Sequence, residues 1–220
     1  MLKRTFILFF LFFSFQILSA QDIRYFFKIL PQSYTPELNA KTKDSLLEGK
    51  NYYPADNDKD QIIVYEMTQL DTLKNFLSIS MSFKTGQRGF DKIEVRSFKA
   101  KSGNFIVVFS DYSGVPVSFY QNNLSVFSYR KNKSLIKISS LGLISKVKLT
   151  DFLKPNTPDS IAKKFEIDCN ISYHLDDENI TLTLETYNFS AKLYYWLLGD
   201  EIEFIWNGER FIKQKPKFDE

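Results

Sequence analysis

The chain has 220 residues, a formal net charge of +3, 44% hydrophobic and 16% aromatic side chains, and a single Cys and a single His. Such a length can bury a self-sufficient core, and the composition is neither disordered, collagen-like nor disulfide-dense. One Cys and one His exclude a structural zinc site built from four such ligands. Setting aside Met1–Ala20, which holds Lys3 and Arg4, leaves a charge of +1 and no electrostatic reason for nucleic-acid binding.

Lys3 and Arg4 precede the apolar run from Phe6 to Phe13, which Ser14 and Gln16 then thin out. The run is shorter than the ~18–20 apolar residues of a spanning helix, and Ala20 offers a small residue just before a cut ahead of Gln21. Residues 1–20 are therefore expected to be a cleaved signal peptide, with 21–220 a single domain that is periplasmic or extracellular and not an integral membrane protein. Cys169 is the only thiol, so no intramolecular disulfide can form and stability must come from burial.

Ile23, Phe26, Phe27 and Leu30 mark one face of a helix, capped by Asp22 and stopped by Pro31. Thr35-Pro36-Glu37 reads as the start of a second helix running to about Glu48, with Gly49 as its stop. From Gln61 the period becomes two. A strand over 61–67 is followed by Leu77, Ile79, Met81 and Phe83 alternating with serines, which predicts one buried and one wet face. Gly86 and Gly89 interrupt the pattern and Ile93 and Val95 resume it. The unbroken apolar run Phe105–Phe109 reads as a central strand. Strands are expected near 117–121, 124–130 and 133–139, joined at Asn122-Asn123 and at Arg130–Lys133.

Phe152, Pro155 and Thr157-Pro158-Asp159 then repeat the layout of the N-terminus, with a helix through Ile161, Ala162 and Phe165. A hairpin around Asp176–Asn179 pairs Leu175 with Ile180, Tyr173 with Leu182 and Ile171 with Leu184. A short helix over 190–198, capped by Ser190 and ended by Gly199, precedes a hairpin turning at Asn207-Gly208, and the tail from Lys213 reads as loose. Runs of strands with patches of helix predict an α+β fold: a largely antiparallel sheet with a few short helices packed on one face. The repeated layout leaves open two similar helix-plus-sheet halves.

No constellation points to chemistry. Cys169 and His174 fall on opposite faces of one strand. Ser172 and His174 share a face, but as i, i+2 neighbours they read as too far apart for a dyad. Asp56, Asp58 and Asp60 begin like an EF-hand loop, which Gln61 and Met67 then break. Asp176, Asp177 and Glu178 crowd a turn, and Tyr194, Tyr195 and Trp196 read chiefly as packing. No catalytic, metal or cofactor-binding residue is assigned. The polar face of Ser172, His174, Thr181, Thr183 and Glu185 is the candidate binding surface.

The signal followed by Phe26-Phe27-Lys28-Ile29-Leu30-Pro31, with Asp44-x-Leu46-Leu47, the 171–184 hairpin and the closing Trp206-Asn207-Gly208-x-x-Phe211, resembles a family of small exported Bacteroidetes proteins of unknown function. The resemblance implies an α+β fold and periplasmic or surface placement, and carries over no functional residue. The expected role is a non-enzymatic module that binds an envelope protein or a small ligand. The alternatives are a periplasmic hydrolase working through two carboxylates, which would need a concave pocket with one acid desolvated, and an envelope lipid or ligand carrier.

Overall fold

The computed structural model describes residues 22–54, 62–84, 89–115, 118–129, 134–175, 179–186 and 191–218. The expected signal peptide over 1–20, Asp56 to Gln61, Gly86, Arg130–Lys133, Asp176–Glu178 and Ser190 lie outside the described residues.

Asp22 caps helix α1 (Ile23–Ile29) by accepting from the Tyr25 N–H at 3.2 Å, and Ile23, Phe26 and Phe27 are buried as the period predicts. Helix α2 (Ala40–Leu47) begins later than Thr35-Pro36 suggests. Its cap is Asn39, whose side chain accepts from the Thr42 N–H at 3.1 Å. Lys43 of α2 is buried and donates to the Leu30 carbonyl at the end of α1 at 2.9 Å, tying the two helices together. Burial lowers its pKa to about 8. The residues between the helices form a 3₁₀ turn (Gln32–Tyr34) and then a turn closed by the Leu38 N–H donating to the Thr35 carbonyl at 3.0 Å.

Strands β1 (Ile63–Asp71), β2 (Phe76–Phe83), β3 (Phe90–Lys99), β4 (Phe105–Val115), β5 (Ser118–Tyr129) and β6 (Leu135–Ile138) form a six-stranded antiparallel meander in sequence order. The Phe105–Phe109 run belongs to the interior strand β4 and is buried from Ile106 to Phe109. Asn122 and Asn123 are not a turn. β5 runs straight through them, pairing Asn122 with Tyr112 and Asn123 with Asp111. Helix α3 (Asp159–Asp168) follows Pro158. The second sheet is β7 (Cys169–His174), β8 (Ile180–Thr186), β9 (Glu201–Trp206) and β10 (Phe211–Lys213), with the short helix α4 (Ala191–Tyr194) between β8 and β9. The fold is α+β with antiparallel sheets. The β7–β8 register has the expected matches of Ile171 with Leu184 and Tyr173 with Leu182.

Two cores share the larger sheet. On one face α1, Leu38 and Leu46 pack over Leu77, Ile79, Ile93, Val95, Val107, Phe109 and Phe127. On the other, Phe76, Phe98, Ile106, Val108 and Val126 meet Leu182, Leu184, Ile202, Phe204 and Phe211 of the second sheet, together with Phe165 of α3 and Cys169. The helices therefore sit on different faces, and the wet face expected from the serines of β2 is partly covered: Ser78 is buried. Polar groups stitch this second interface. Glu94, buried on β3, accepts from the Leu175 N–H at 2.9 Å and pairs with Lys92 at 2.5 Å, and Ser110 donates to the Tyr173 carbonyl at 2.8 Å.

The C-terminal segment is also held. The β9–β10 hairpin pairs Trp206 with Phe211, so its loop spans 207–210 and is longer than the tight Asn-Gly turn expected. Asn207 Oδ1 accepts from the Glu209 and Arg210 N–H groups, each at 2.9 Å, which stabilises the longer turn. Beyond it, the Asp200 and Glu201 N–H groups both donate to the Lys217 carbonyl at 3.0 Å, and the Lys217 N–H returns a bond to Glu201. A Cβ on Gly199 would lie 2.3 Å from the Lys217 backbone, so only glycine permits this approach. Gly199→Ala is expected to lower stability by about 1–3 kcal/mol, as overpacking does. Urea unfolding checks this, and an unchanged midpoint would show the tail to be loose after all.

Candidate functional site

The residues singled out in sequence share one face of the β7–β8 pair. Ser172 is 0% exposed, while His174, Thr181, Thr183 and Glu185 are half-buried. Ser172 Oγ lies 2.9 Å from His174 Nε2 and donates to Glu185 Oε1 at 2.7 Å. Strand rise does separate the two Cα atoms, but the imidazole is long enough to bridge the gap. The arrangement is not that of an activated serine. With its one proton given to Glu185, the hydroxyl is faced by the Glu185 carboxylate as its acceptor, and the imidazole then donates to Oγ rather than serving as the base. The acid of a triad would have to orient the histidine, whereas Glu185 holds the serine. Thr183 Oγ1 approaches Glu201 at 3.4 Å, and the His174 ring packs edge-on against Tyr112 with centroids 5.6 Å apart. Cys169 is buried in the core between the sheets. Among the described residues no three His, Cys, Asp or Glu side chains are grouped to hold a metal ion.

A different site lies on the helix-facing side of the larger sheet. Asp91 on β3 pairs with Ser113 on β4, and Ile93 pairs with Asp111. Asp91 and Asp111 are thus diagonal neighbours on one face, within reach of each other. The row through Asp91 continues across Met81 to Tyr65 on β1, which is itself bridged to Tyr52. Over this floor lies the stretch joining the first two helices. The Tyr34 ring packs edge-on against Phe109 and Phe127, with centroids 5.6 and 4.9 Å apart. Gln32 Nε2 donates to the carbonyls of Thr35 (3.0 Å) and Pro36 (2.8 Å), and the Leu38 N–H also donates to Thr35 O at 3.0 Å. This fixed segment and the floor enclose a cleft of about 210 Å³, with Glu37 among its walls.

Asp91 and Asp111 are close enough on this face that the Asp111 carboxyl disfavours ionisation of Asp91. Burial raises the Asp91 pKa to about 7, helped by the Asp111 carboxyl, while the Lys92 N–H opposes the shift. The apparent value belongs to the pair. Tyr65 is pushed up to about 12 by burial and then by the charges of Asp91, Glu37, Tyr52 and Asp111. Two polar atoms of the cleft have no hydrogen-bond partner: Asp91 Oδ1, and the Oγ1 of Thr35, a residue 1% exposed. A buried polar group without a partner is costly and needs explaining. Here both belong to one cavity.

Sequence reasoning missed this pair. The available signal was parity: Asp91 extends the buried set Ile93 and Val95, and Asp111 extends Val107 and Phe109. A carboxylate at a core position of a strand is the anomaly that would have identified each.

No protein-family model matches the chain, and no curated protein is similar to it. Among solved structures it is similar to a domain of an uncharacterized protein from Porphyromonas gingivalis W83, with a TM-score of 0.54 and 13% identity over 86% of this chain and 95% of that one. That likeness shows the fold alone.

A carboxyl whose folded pKa lies above its unfolded value of about 3.9 favours the native state below that value, and the contribution is lost as pH rises to about 7. Asp111→Asn keeps a hydrogen-bonding side chain but removes the second charge. The melting temperature of D111N relative to the native chain is therefore expected to climb between pH 4 and 7 and then level off. A difference that stays constant from pH 4 to 8 would contradict the contribution of Asp111 to the raised Asp91 pKa.

Proposed function

We propose that the chain is exported by its N-terminal segment Met1–Ala20 and that its body is a non-enzymatic binding module for a small polar ligand seated in the Asp91–Asp111 cleft. The observation that carries this reading is the pair of unpartnered buried atoms, Thr35 Oγ1 and Asp91 Oδ1, in one cavity. A ligand that supplies their hydrogen bonds gains what folding left unmet. Kinship with exported Bacteroidetes proteins of unknown function belongs to the same proposal. The Porphyromonas gingivalis neighbour, an uncharacterized protein, accords with it. Among the described residues no helix is long and apolar enough to cross a membrane.

One observation favours a carboxylate-dependent hydrolase as a second reading: two acids in a concave cleft, one of them desolvated. Glycoside hydrolysis, however, places its two acids about 5–10 Å apart so that each acts separately. Asp91 and Asp111 are diagonal neighbours on one sheet face, and the Asp111 charge helps keep Asp91 protonated, which suits recognition better than that chemistry.

The cleft is tested by amide chemical shifts of the chain Gln21–Glu220, titrated with ammonium, carboxylate and neutral polyol compounds. At least one class is expected to move Thr35, Ile93 and Asp111 saturably, and to lose that effect in a cleft-filling Ser113→Phe variant. No saturable shift at millimolar concentrations would overturn the reading. Export is tested separately: N-terminal sequencing of the protein made in its native cell should begin at Gln21, and a cytosolic chain retaining Met1 would refute it.

A further inference from the structure

We propose that a second cavity, between the two sheets, binds a small organic carboxylate on an apolar stem, with the anion held at Lys146 and the stem between β5 and β8. This site lies on the opposite face of the larger sheet from the Asp91–Asp111 cleft and does not rest on the reading given for that cleft.

The cavity exists because β6 stops short. It pairs with β5 only over Val126–Tyr129, ending with Ile138 opposite Val126, so no described strand lies beside Leu124 on that side. The chain leaves instead through a 3₁₀ turn (Ser140–Gly142), where the Leu143 and Ile144 N–H groups donate to the Ser140 carbonyl at 2.9 and 2.7 Å. Both ends of the loop that follows are pinned. The Leu143 carbonyl accepts from the Phe211 N–H of β10 at 2.9 Å, and the Lys148 N–H donates to Asp151, itself paired with Lys213 at 2.7 Å. Across the gap, the Ser110 hydroxyl of β4 donates to the Tyr173 carbonyl and fixes β7 over the larger sheet. The walls are therefore set before a ligand arrives, which lowers the ordering cost of binding. They enclose about 410 Å³, within the ~300–1,000 Å³ usual for small-molecule pockets.

The ligand class follows from the lining. Leu124, Ile144, Val147 and Leu182 belong to the core between the sheets or pack against it, and they offer an apolar surface to a hydrocarbon stem. Of the described residues lining the cavity none is acidic, and Lys146 is the one cation. Lys146 is exposed and makes no ion pair among the described residues. The Tyr173 side chain is half-buried on the inner face beside its β8 partner Leu182, and its hydroxyl has no hydrogen-bond partner among the described residues. Asn123, Ser140 and Ser145 add neutral polar groups. One cation with neutral donors and no competing carboxylate selects a single negative charge. A carboxylate can accept from an ammonium and a hydroxyl at once. A cationic ligand would meet Lys146 with no acid to offset the repulsion, and an uncharged one would gain only the walls.

The test uses sodium hexanoate with the chain Gln21–Glu220. Hexanol supplies the stem without charge, acetate the charge without stem, and hexylammonium the stem with the opposite charge, all at matched ionic strength. Hexanoate is expected to shift the amides of Leu124, Ser145 and Leu182 saturably and to bind more tightly than each of the other three. Lys146→Ala, an exposed substitution that leaves the core intact, should weaken hexanoate about fivefold and leave any effect of hexanol unchanged, the size of one exposed charge contact. No saturable shift at millimolar concentrations, binding of hexanol or hexylammonium as tight as that of hexanoate, or undiminished affinity in K146A would each overturn the proposal. Hexanoate shifts confined to Thr35, Ile93 and Asp111 would place the ligand in the other cleft, which would also overturn it.

Discussion

A six-stranded sheet covered on both faces is the constraint from which the rest of the structure follows. Once neither face is open to water, every polar side chain along its strands must find a partner inside the protein. The face toward the second sheet meets this requirement in part, with backbone and ring contacts, and leaves Ser78 Oγ without a partner. Glu94 takes the Leu175 N–H, Ser110 gives its proton to the Tyr173 carbonyl, and the Arg96 guanidinium lies 4.8 Å over the Phe76 ring. The polar residues there hold two layers in one relative position. The face toward the helices meets it only in part. Asp91 Oδ1 and Thr35 Oγ1 have no partner there, and both residues line one cavity.

The stretch between α1 and α2 that lines this cavity is not α-helical. Thr35-Pro36-Glu37 has the composition of a helix start, yet the cap is Asn39, about a turn further on. Meanwhile Leu38 is driven into the core, and Tyr34 inserts between Phe109 and Phe127. The residues withheld from the helix form the roof of the cleft. A local preference is overridden where the chain builds a cavity, which is where such departures are expected in natural proteins.

Much of the architecture was legible because it rests on periodicity. The α1 stripe, the central Phe105–Phe109 strand and the β7–β8 register each follow from apolar spacing that one alternative register would destroy. What was not legible depends on neighbours remote in sequence. Alternating serines in β2 look wet until a second sheet covers them. Asn122-Asn123 looks like a turn until β5 is seen pairing straight through it with β4. The Lys213–Phe218 tail looks loose until Gly199 lets it lie against β9. Ser172, His174, Thr181, Thr183 and Glu185 do share one face, but composition alone cannot reveal that Ser172 is buried and committed to Glu185. The acid pair was missed for the opposite reason: each aspartate is ordinary alone, and only strand parity combined with pairing register brings them together.

The account stands or falls on Asp91 keeping its proton to near neutral pH beside Asp111. Carbon-13 NMR of the side-chain carboxyls, in protein labelled at aspartate, reads that proton directly. The account predicts that the Asp91 carboxyl carbon titrates near pH 7. If it instead completed its titration below about pH 5, as ordinary solvated aspartates do, the buried carboxyl and the site built on it would be contradicted.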